Sequence, residues 1–413
     1  MDGRDFDPAE VRRPIRLCLV ISGFIALMAC VFVAVTDWSG SAYPAAVACI
    51  VVLAICVAGC ILLKTRWVRC ALVLATVNLV AVVPELCLRA ADFQYVSEVS
   101  FLGLRPHARV IFEPDDELFW KYPTSLPDVN SFGFRGREVA VPKDANVRRL
   151  LFLGDSCTDQ DFARLVEILL NGDPGRDSLR YECVVLAAPG YSSYQGKVLA
   201  SKYAGLLEAD LAFVCFGWND HWLAYGCTDE VAGSMVFRNV LSTANHHSRM
   251  LQAGMKLIHS VFGCREQGVI DEVRVPAGQF ESNLATINSL FDAQGVPVVF
   301  VTAPAAHSSQ GVPQYLLERR YAPSAQFVLN KHSEYCAIVR AVARRCGAKL
   351  LDLEKELAAL ERPDELFMSD GIHFSRSGLH VMATRIYRFV RNETGLVPHG
   401  HGDAEFHLAV KGP

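Results

Sequence analysis

The sequence predicts an α/β fold whose mostly parallel sheet is covered by helices on both faces. Short apolar runs of strand length recur between residues 149 and 353, without the polar alternation of a half-exposed strand. Amphipathic runs of helix length separate them, and this order closes most simply into a parallel sheet buried on both sides. The first apolar run also ends in Gly154-Asp155-Ser156, so a hydroxyl stands at the carboxyl end of a strand, where open α/β sheets keep their sites.

In chain order, a strand over 149–153 leads to a helix over 162–170. A strand over 181–186 leads to a helix over 194–207, and a strand over 211–216 follows. After a long interruption, a helix over 280–293 runs into a strand over 296–301. A helix over 333–345, a strand over 348–353 and a helix over 379–391 complete the alternation. Residues 220–279 break it. With His246-His247 and an apolar-periodic run over 250–262, they read as an insertion, either a lid or a surface helix packed on the body. Residues 92–147, rich in Pro, Asp and aromatics, read as an irregular arm leading to a domain over 148–396. Residues 397–413 read as a loose, solvated tail, its His399, His401, Asp403 and His407 included.

The 413 residues are 51% hydrophobic, more than an average soluble chain needs, and the excess lies in the first ninety. Apolar stretches over 17–35, 44–63 and 70–88 each approach the ~20 residues that cross a bilayer, and they predict three transmembrane helices within 17–91. Arg12, Arg13 and Arg16 precede the first, and Lys64, Arg66 and Arg69 separate the second from the third, whereas residues 36–43 carry only Asp37. The positive-inside rule therefore makes residues 1–16 a cytoplasmic tail and puts the arm and the domain outside, in a multi-pass protein of the cell membrane. Glu85 interrupts the third stretch near its outer end, where it can reach water or pair with Arg89. The net charge is −4, with no block of Lys or Arg, which gives nucleic acid no purchase. Fourteen cysteines divide evenly between the apolar front and the rest, with no C-x-x-C to suggest zinc. Cys183 and Cys215 fall in strand-like runs, and Cys227 with Cys264 can bracket a loop as a disulfide.

A serine hydroxyl is a poor nucleophile until a base takes its proton, and the base works best when a carboxylate holds it in the right tautomer. Asp370-Gly371-Ile372-His373 supplies such a pair on one short turn. An acyl-transfer site also needs donors for the oxyanion. Gly190 in the loop after the second strand offers a backbone N–H, Asn219 in the loop after the third offers a side-chain amide, and the N–H of Ser156 makes three.

Gly154-Asp155-Ser156, Gly190, Asn219-Asp220 and Asp370-x-x-His373 stand in the order of the four blocks of the SGNH/GDSL hydrolase superfamily, which residues 148–395 resemble. The resemblance implies a three-layer α/β/α sandwich, with Ser156 as nucleophile, His373 as general base and acid, Asp370 as its orienter, and Ser156, Gly190 and Asn219 as the oxyanion hole. It implies no cofactor and no metal. Asp155 and Asp220 take supporting roles in turn structure. Cys157 stands where leucine is commonest, at a position that usually packs inward. Arg135, in Asn130-Ser-Phe-Gly-Phe-Arg-Gly136, falls in a segment similar to one upstream of this block in membrane-tethered relatives, and is expected to brace the arm through an ion pair.

Rival assignments exist for single residues. Cys157 is intrinsically the stronger nucleophile but lacks the placement. His307 follows a strand and can touch substrate, but has no carboxylate beside it to serve as the base. Trp218, His221 and Trp222 either line the pocket or pack. The expected activity is a membrane-anchored esterase acting on carboxylic esters, acetyl esters among them, of a glycan or a lipid. The alternatives are an O-acyltransferase that works on an envelope glycan with a membrane partner delivering the acyl group, and a silent scaffold that keeps the fold.

Overall fold

The computed structural model describes residues 82, 85–91, 93, 112–173, 178–234, 247–262 and 269–397. The chain divides into two compact units, residues 1–97 with 244–264 and residues 98–243 with 265–413. The candidate spans over 17–35 and 44–63 lie outside the described residues, as does the third apart from residue 82 and its end, where residues 85–90 are helical. Among the described residues no helix is long and apolar enough to cross a membrane. In this first unit Glu85 pairs with Arg89 at 2.9 Å, as the sequence allowed, and also caps a second helix, Arg249–Phe262. Its carboxylate accepts from the N–H groups of Arg249 and Met250 at 2.9 and 2.7 Å and from the Ser248 hydroxyl at 3.0 Å. A carboxylate at a helix N-terminus satisfies N–H groups that have no partner within the helix.

The second unit is built on a five-stranded sheet. Its strands are β3 (Val147–Gly154), β4 (Arg180–Ala187), β5 (Leu211–Cys215), β8 (Val298–Val301) and β9 (Lys349–Leu351), in the order β4-β3-β5-β8-β9. Every neighbouring pair is parallel, which is why each connection carries a helix. Alternate residues of one strand serve opposite cores. Leu151 and Leu153 of β3 pack with α2 (Ser193–Tyr203), α5 (Ala277–Asp292) and α8 (Ala325–Cys346). Leu150 and Phe152 pack with α1 (Phe162–Gly172) and α10 (Arg376–Glu393). That parity makes β3 apolar on both faces from Leu150 to Leu153 and gives the three layers their two interfaces.

The remaining elements are two small hairpins and connecting helices. β1 (Glu113–Asp115) pairs with β2 (Phe119–Lys121), and β6 (Leu223–Tyr225) with β7 (Val269–Val273), both antiparallel. β6 leads to α3 (Asp229–Ser234), so the stretch read as an insertion carries a hairpin and a helix of this unit at its two ends. The Arg249–Phe262 helix, α4 in chain order, belongs to the other unit. Residues 112–139 do more than lead to the domain: Phe112, Trp120, Tyr122 and Phe134 are buried in the same cluster as the α2 side of the sheet. Arg135 pairs with Asp128 at 3.5 Å and lies 5.0 Å from the Tyr122 ring, the brace expected of it. Cys183 and Cys215 pack partly buried against the sheet, and Cys264, the expected partner of Cys227, lies outside the described residues. The tail beyond residue 397 is likewise outside them.

Candidate active site

The strand order brings the site loops together before any side chain is considered. β3 lies between β4 and β5, so the loop holding Ser156 is flanked by the loop holding Gly190 and the loop holding Asn219. Gly154, the last residue of β3, lets the chain turn there. A Cβ at this position would stand 2.0 Å from Thr158 Oγ1 and 2.8 Å from the Cys215 carbonyl, so only glycine permits the close approach. Asp155 then ties the turn, its Oδ1 accepting from the Cys157 N–H at 2.9 Å.

Ser156, His373 and Asp370 form one hydrogen-bonded chain. The Ser156 hydroxyl donates to His373 Nε2 at 2.8 Å, and His373 Nδ1 donates to Asp370 Oδ2 at 2.7 Å. An ionised carboxylate can only accept, so Nδ1 carries the proton and Nε2 is left to receive one. Asp370 also accepts from the N–H groups of Ile372 and His373, each at 2.9 Å. Burial works against its charge, but the bond from His373 and these two N–H groups outweigh it and hold the carboxyl below its ordinary value. Burial likewise disfavours protonated His373, yet the bond and charge of Asp370 prevail and leave the imidazole above its ordinary value. This is the arrangement that lets a serine attack a carbonyl and a histidine carry its proton to the leaving group.

On the oxyanion side, the backbone N–H groups of Ser156 and Gly190 donate to no protein atom among the described residues. Gly190 has a φ of +83°, which turns its peptide in a way a side chain would resist. Asn219 is more committed than the sequence implied. Its amide nitrogen donates to Asp155 Oδ2 at 3.2 Å and to the Tyr191 carbonyl at 3.0 Å, occupying both hydrogens. It thereby joins all three loops.

The other residues singled out in the sequence sort by burial. Cys157 is 8% exposed, and burial first, with Asp155 next, pushes its thiol well above the ordinary range, so it has no thiolate to offer. Trp218, His221 and Trp222 pack in a buried cluster in which Trp218 stacks on His332 with centroids 4.1 Å apart. Asp220 is buried, accepting from the Ser193 N–H at 2.9 Å. His307 bears on the site from behind: its Nε2 donates to the Asp370 carbonyl at 2.7 Å, beside an Ala306 N–H to Gly371 carbonyl bond of 2.9 Å. The sequence offers His307 as a group that can touch substrate, and nothing in the chain order signals its grip on the Asp370 turn. Nor does it signal a role at the Gly190 loop for Trp120, Asp229 or Arg274, all of which bear on it. Among the described residues no group of His, Cys, Asp or Glu is set to hold a metal ion.

A fold of this topology with a serine just past a strand end, hydrogen-bonded to a histidine and through it to a carboxylate on a later turn, defines a class, the α/β enzymes with an acyl-transfer site. The model of the GDSL-like lipase/acylhydrolase family matches residues 152–381, more than half of the chain, and the chain belongs to that family; it is an ester hydrolase of GDSL/SGNH type. Among solved structures it is similar to a lipase/acylhydrolase from Enterococcus faecalis, at 18% identity over 59% of this chain and 95% of that one, with a TM-score of 0.39. It is also similar to a GDSL-like lipase from Bacteroides thetaiotaomicron, at 15% identity over 61% and 92% of the two chains and a TM-score of 0.39. A third is an acylhydrolase of Bacteroides fragilis described as putative, at 16% identity over 60% and 88% and a TM-score of 0.37. No curated protein matches.

Proposed function

We propose that the chain is a membrane-anchored serine esterase whose catalytic domain faces outward and cleaves carboxylic esters, acetyl esters among them, of an envelope glycan or lipid. The observation that supports it is the hydrogen-bonded chain from Ser156 through His373 to Asp370, with separations of 2.8 and 2.7 Å. Ser156 Oγ attacks the ester carbonyl while its proton passes to His373 Nε2. The carbonyl oxygen becomes an oxyanion bound by the N–H groups of Ser156 and Gly190. Asn219 joins them by releasing the longer of its two bonds, the 3.2 Å one to Asp155. His373 protonates the departing alcohol, and water, deprotonated by the same nitrogen, then hydrolyses the acyl-enzyme.

The membrane part of the proposal rests on the apolar stretches 17–35, 44–63 and 70–88 and the placing of Arg and Lys around them. One experiment covers both parts. In intact cells expressing the full chain, a membrane-impermeant fluorophosphonate should label the protein, and a Ser156→Ala variant should not label. Labelling that appears only after lysis would overturn the outward orientation. Folded protein that never labels, or a variant that labels equally, would overturn the serine esterase.

A further inference from the structure

The loop carrying Gly190 is held by three successive carbonyls. Trp120 Nε1 donates to the Pro189 carbonyl at 3.0 Å, Arg274 Nη1 to the Gly190 carbonyl at 2.7 Å, and Asn219 Nδ2 to the Tyr191 carbonyl at 3.0 Å. The Tyr191 hydroxyl returns a bond to the Trp120 carbonyl at 2.7 Å. Of these holders Arg274 is the unexpected one, because it is a 5% exposed cation bonded to the neutral carbonyl of Gly190.

Arg274 is itself fixed by a buried carboxylate. Its Nε and Nη2 donate to the two oxygens of Asp229 at 3.1 and 2.8 Å, and Asp229 is 1% exposed. Asp229 Oδ2 also accepts from the Ser192 hydroxyl at 2.6 Å, two residues past Gly190. Backbone bonds close the frame: the Asp229 N–H donates to the Arg274 carbonyl at 2.9 Å and the Arg274 N–H to the Trp222 carbonyl at 2.8 Å. A planar guanidinium with one edge on a carboxylate has its remaining nitrogen set in direction, so the Gly190 carbonyl is fixed at one angle. The Gly190 N–H shares its peptide with the Pro189 carbonyl, which Trp120 holds, and Arg274 fixes the next peptide through the Gly190 carbonyl, so both planes that meet at the Gly190 Cα are set and the N–H keeps one direction toward an oxyanion. Burying two charges is costly unless they bond this fully.

We propose that Arg274, clamped by Asp229, is a positioning residue of the oxyanion hole: it fixes the peptide that follows Gly190 and so keeps the Gly190 N–H, on the peptide that Trp120 holds, facing the carbonyl under attack. Two residues from the ends of the stretch read as an insertion, near α3 and β7, thereby become part of the catalytic apparatus. The inference rests on the serine esterase reading above.

The test uses the full chain, a small activated ester such as p-nitrophenyl acetate, and fluorophosphonate labelling to completion to count competent sites. Arg274→Lys keeps a charge beside Asp229 but lacks the fork that reaches Asp229 and Gly190 together. The double variant Asp229→Asn with Arg274→Met removes both charges and leaves neither buried alone. In both, kcat per labelled site should fall about ten- to a hundredfold, with KM changed less than about threefold. Inhibition by a trifluoromethyl ketone, which forms the tetrahedral adduct, should weaken in step. A double variant whose kcat per labelled site stays within twofold of wild type would overturn the proposal, since a merely structural role lowers the number of sites and not their rate. A wild-type protein that neither labels nor turns over would instead overturn the esterase reading beneath it.

Discussion

His373 stands between two opposing pressures, and the balance has a measurable sign. Burial disfavours its charged form, while the bond to Asp370 and that residue's charge favour it and win, so the imidazole titrates above 6.5. Below that value it is protonated and cannot accept the Ser156 proton. The kcat/KM for a neutral ester should therefore rise with pH through a midpoint above 6.5. In Asp370→Asn the charge is gone and burial is left, which should move the midpoint downward. An asparagine also fails to enforce the Nδ1–H tautomer, and the plateau should fall by about 10⁴-fold. A pH–rate profile of both proteins decides it: an unchanged midpoint in the variant would mean that Asp370 does not control the base.

At the scale of elements, what the sequence made legible is what repeats locally. The β3, β4 and β5 strands were readable because a strand buried on both faces leaves a continuous apolar run, here Leu150 to Leu153, Cys183 to Ala187 and Leu211 to Cys215, and α1 and α10 because a helix on such a sheet is amphipathic. Ser156, Gly190, Asn219 and the Asp370–His373 pair were readable because each follows a strand or closes a turn. Trp120, Arg274 and His307 were not, since they act across 69, 84 and 63 residues and sit in stretches with no periodic signal. The sharp end of β3 gives the element-scale prediction. In Gly154→Ala the new Cβ meets Thr158 and the backbone carbonyl of Cys215, and the carbonyl, fixed in the neighbouring strand, has nowhere to go. The variant should lose about 2 kcal/mol or more of stability in urea unfolding. Adding Thr158→Ala should restore only part of this, because the carbonyl remains; full restoration would mean the side chain alone sets the limit.

Across the whole molecule, the site has been bought with buried titratable groups whose contributions to stability run in opposite directions with pH. His332 is held neutral, its value pushed down to about 3 mainly by burial, so its share of stability is lost as pH falls below 6.5. Asp220 behaves oppositely. Burial, only partly offset by the Ser193 bonds and the charge of Arg274 and reinforced by Asp229, raises its carboxyl to about 7, and its Oδ2 has no partner among the described residues. Between 3.8 and about 7 the folded chain holds a proton there that the unfolded chain has released, so stability falls as pH rises through that window, by at most about 1.4 kcal/mol per pH unit. An asparagine mimics the protonated acid and carries no such slope, while the other groups cancel in the comparison. The stability of Asp220→Asn relative to wild type should therefore increase from pH 4 to pH 7 and level off above it, in urea titrations run at each pH. A difference that stays flat across that range would mean that Asp220 is ionised in the folded protein and that its burial is compensated by Arg274.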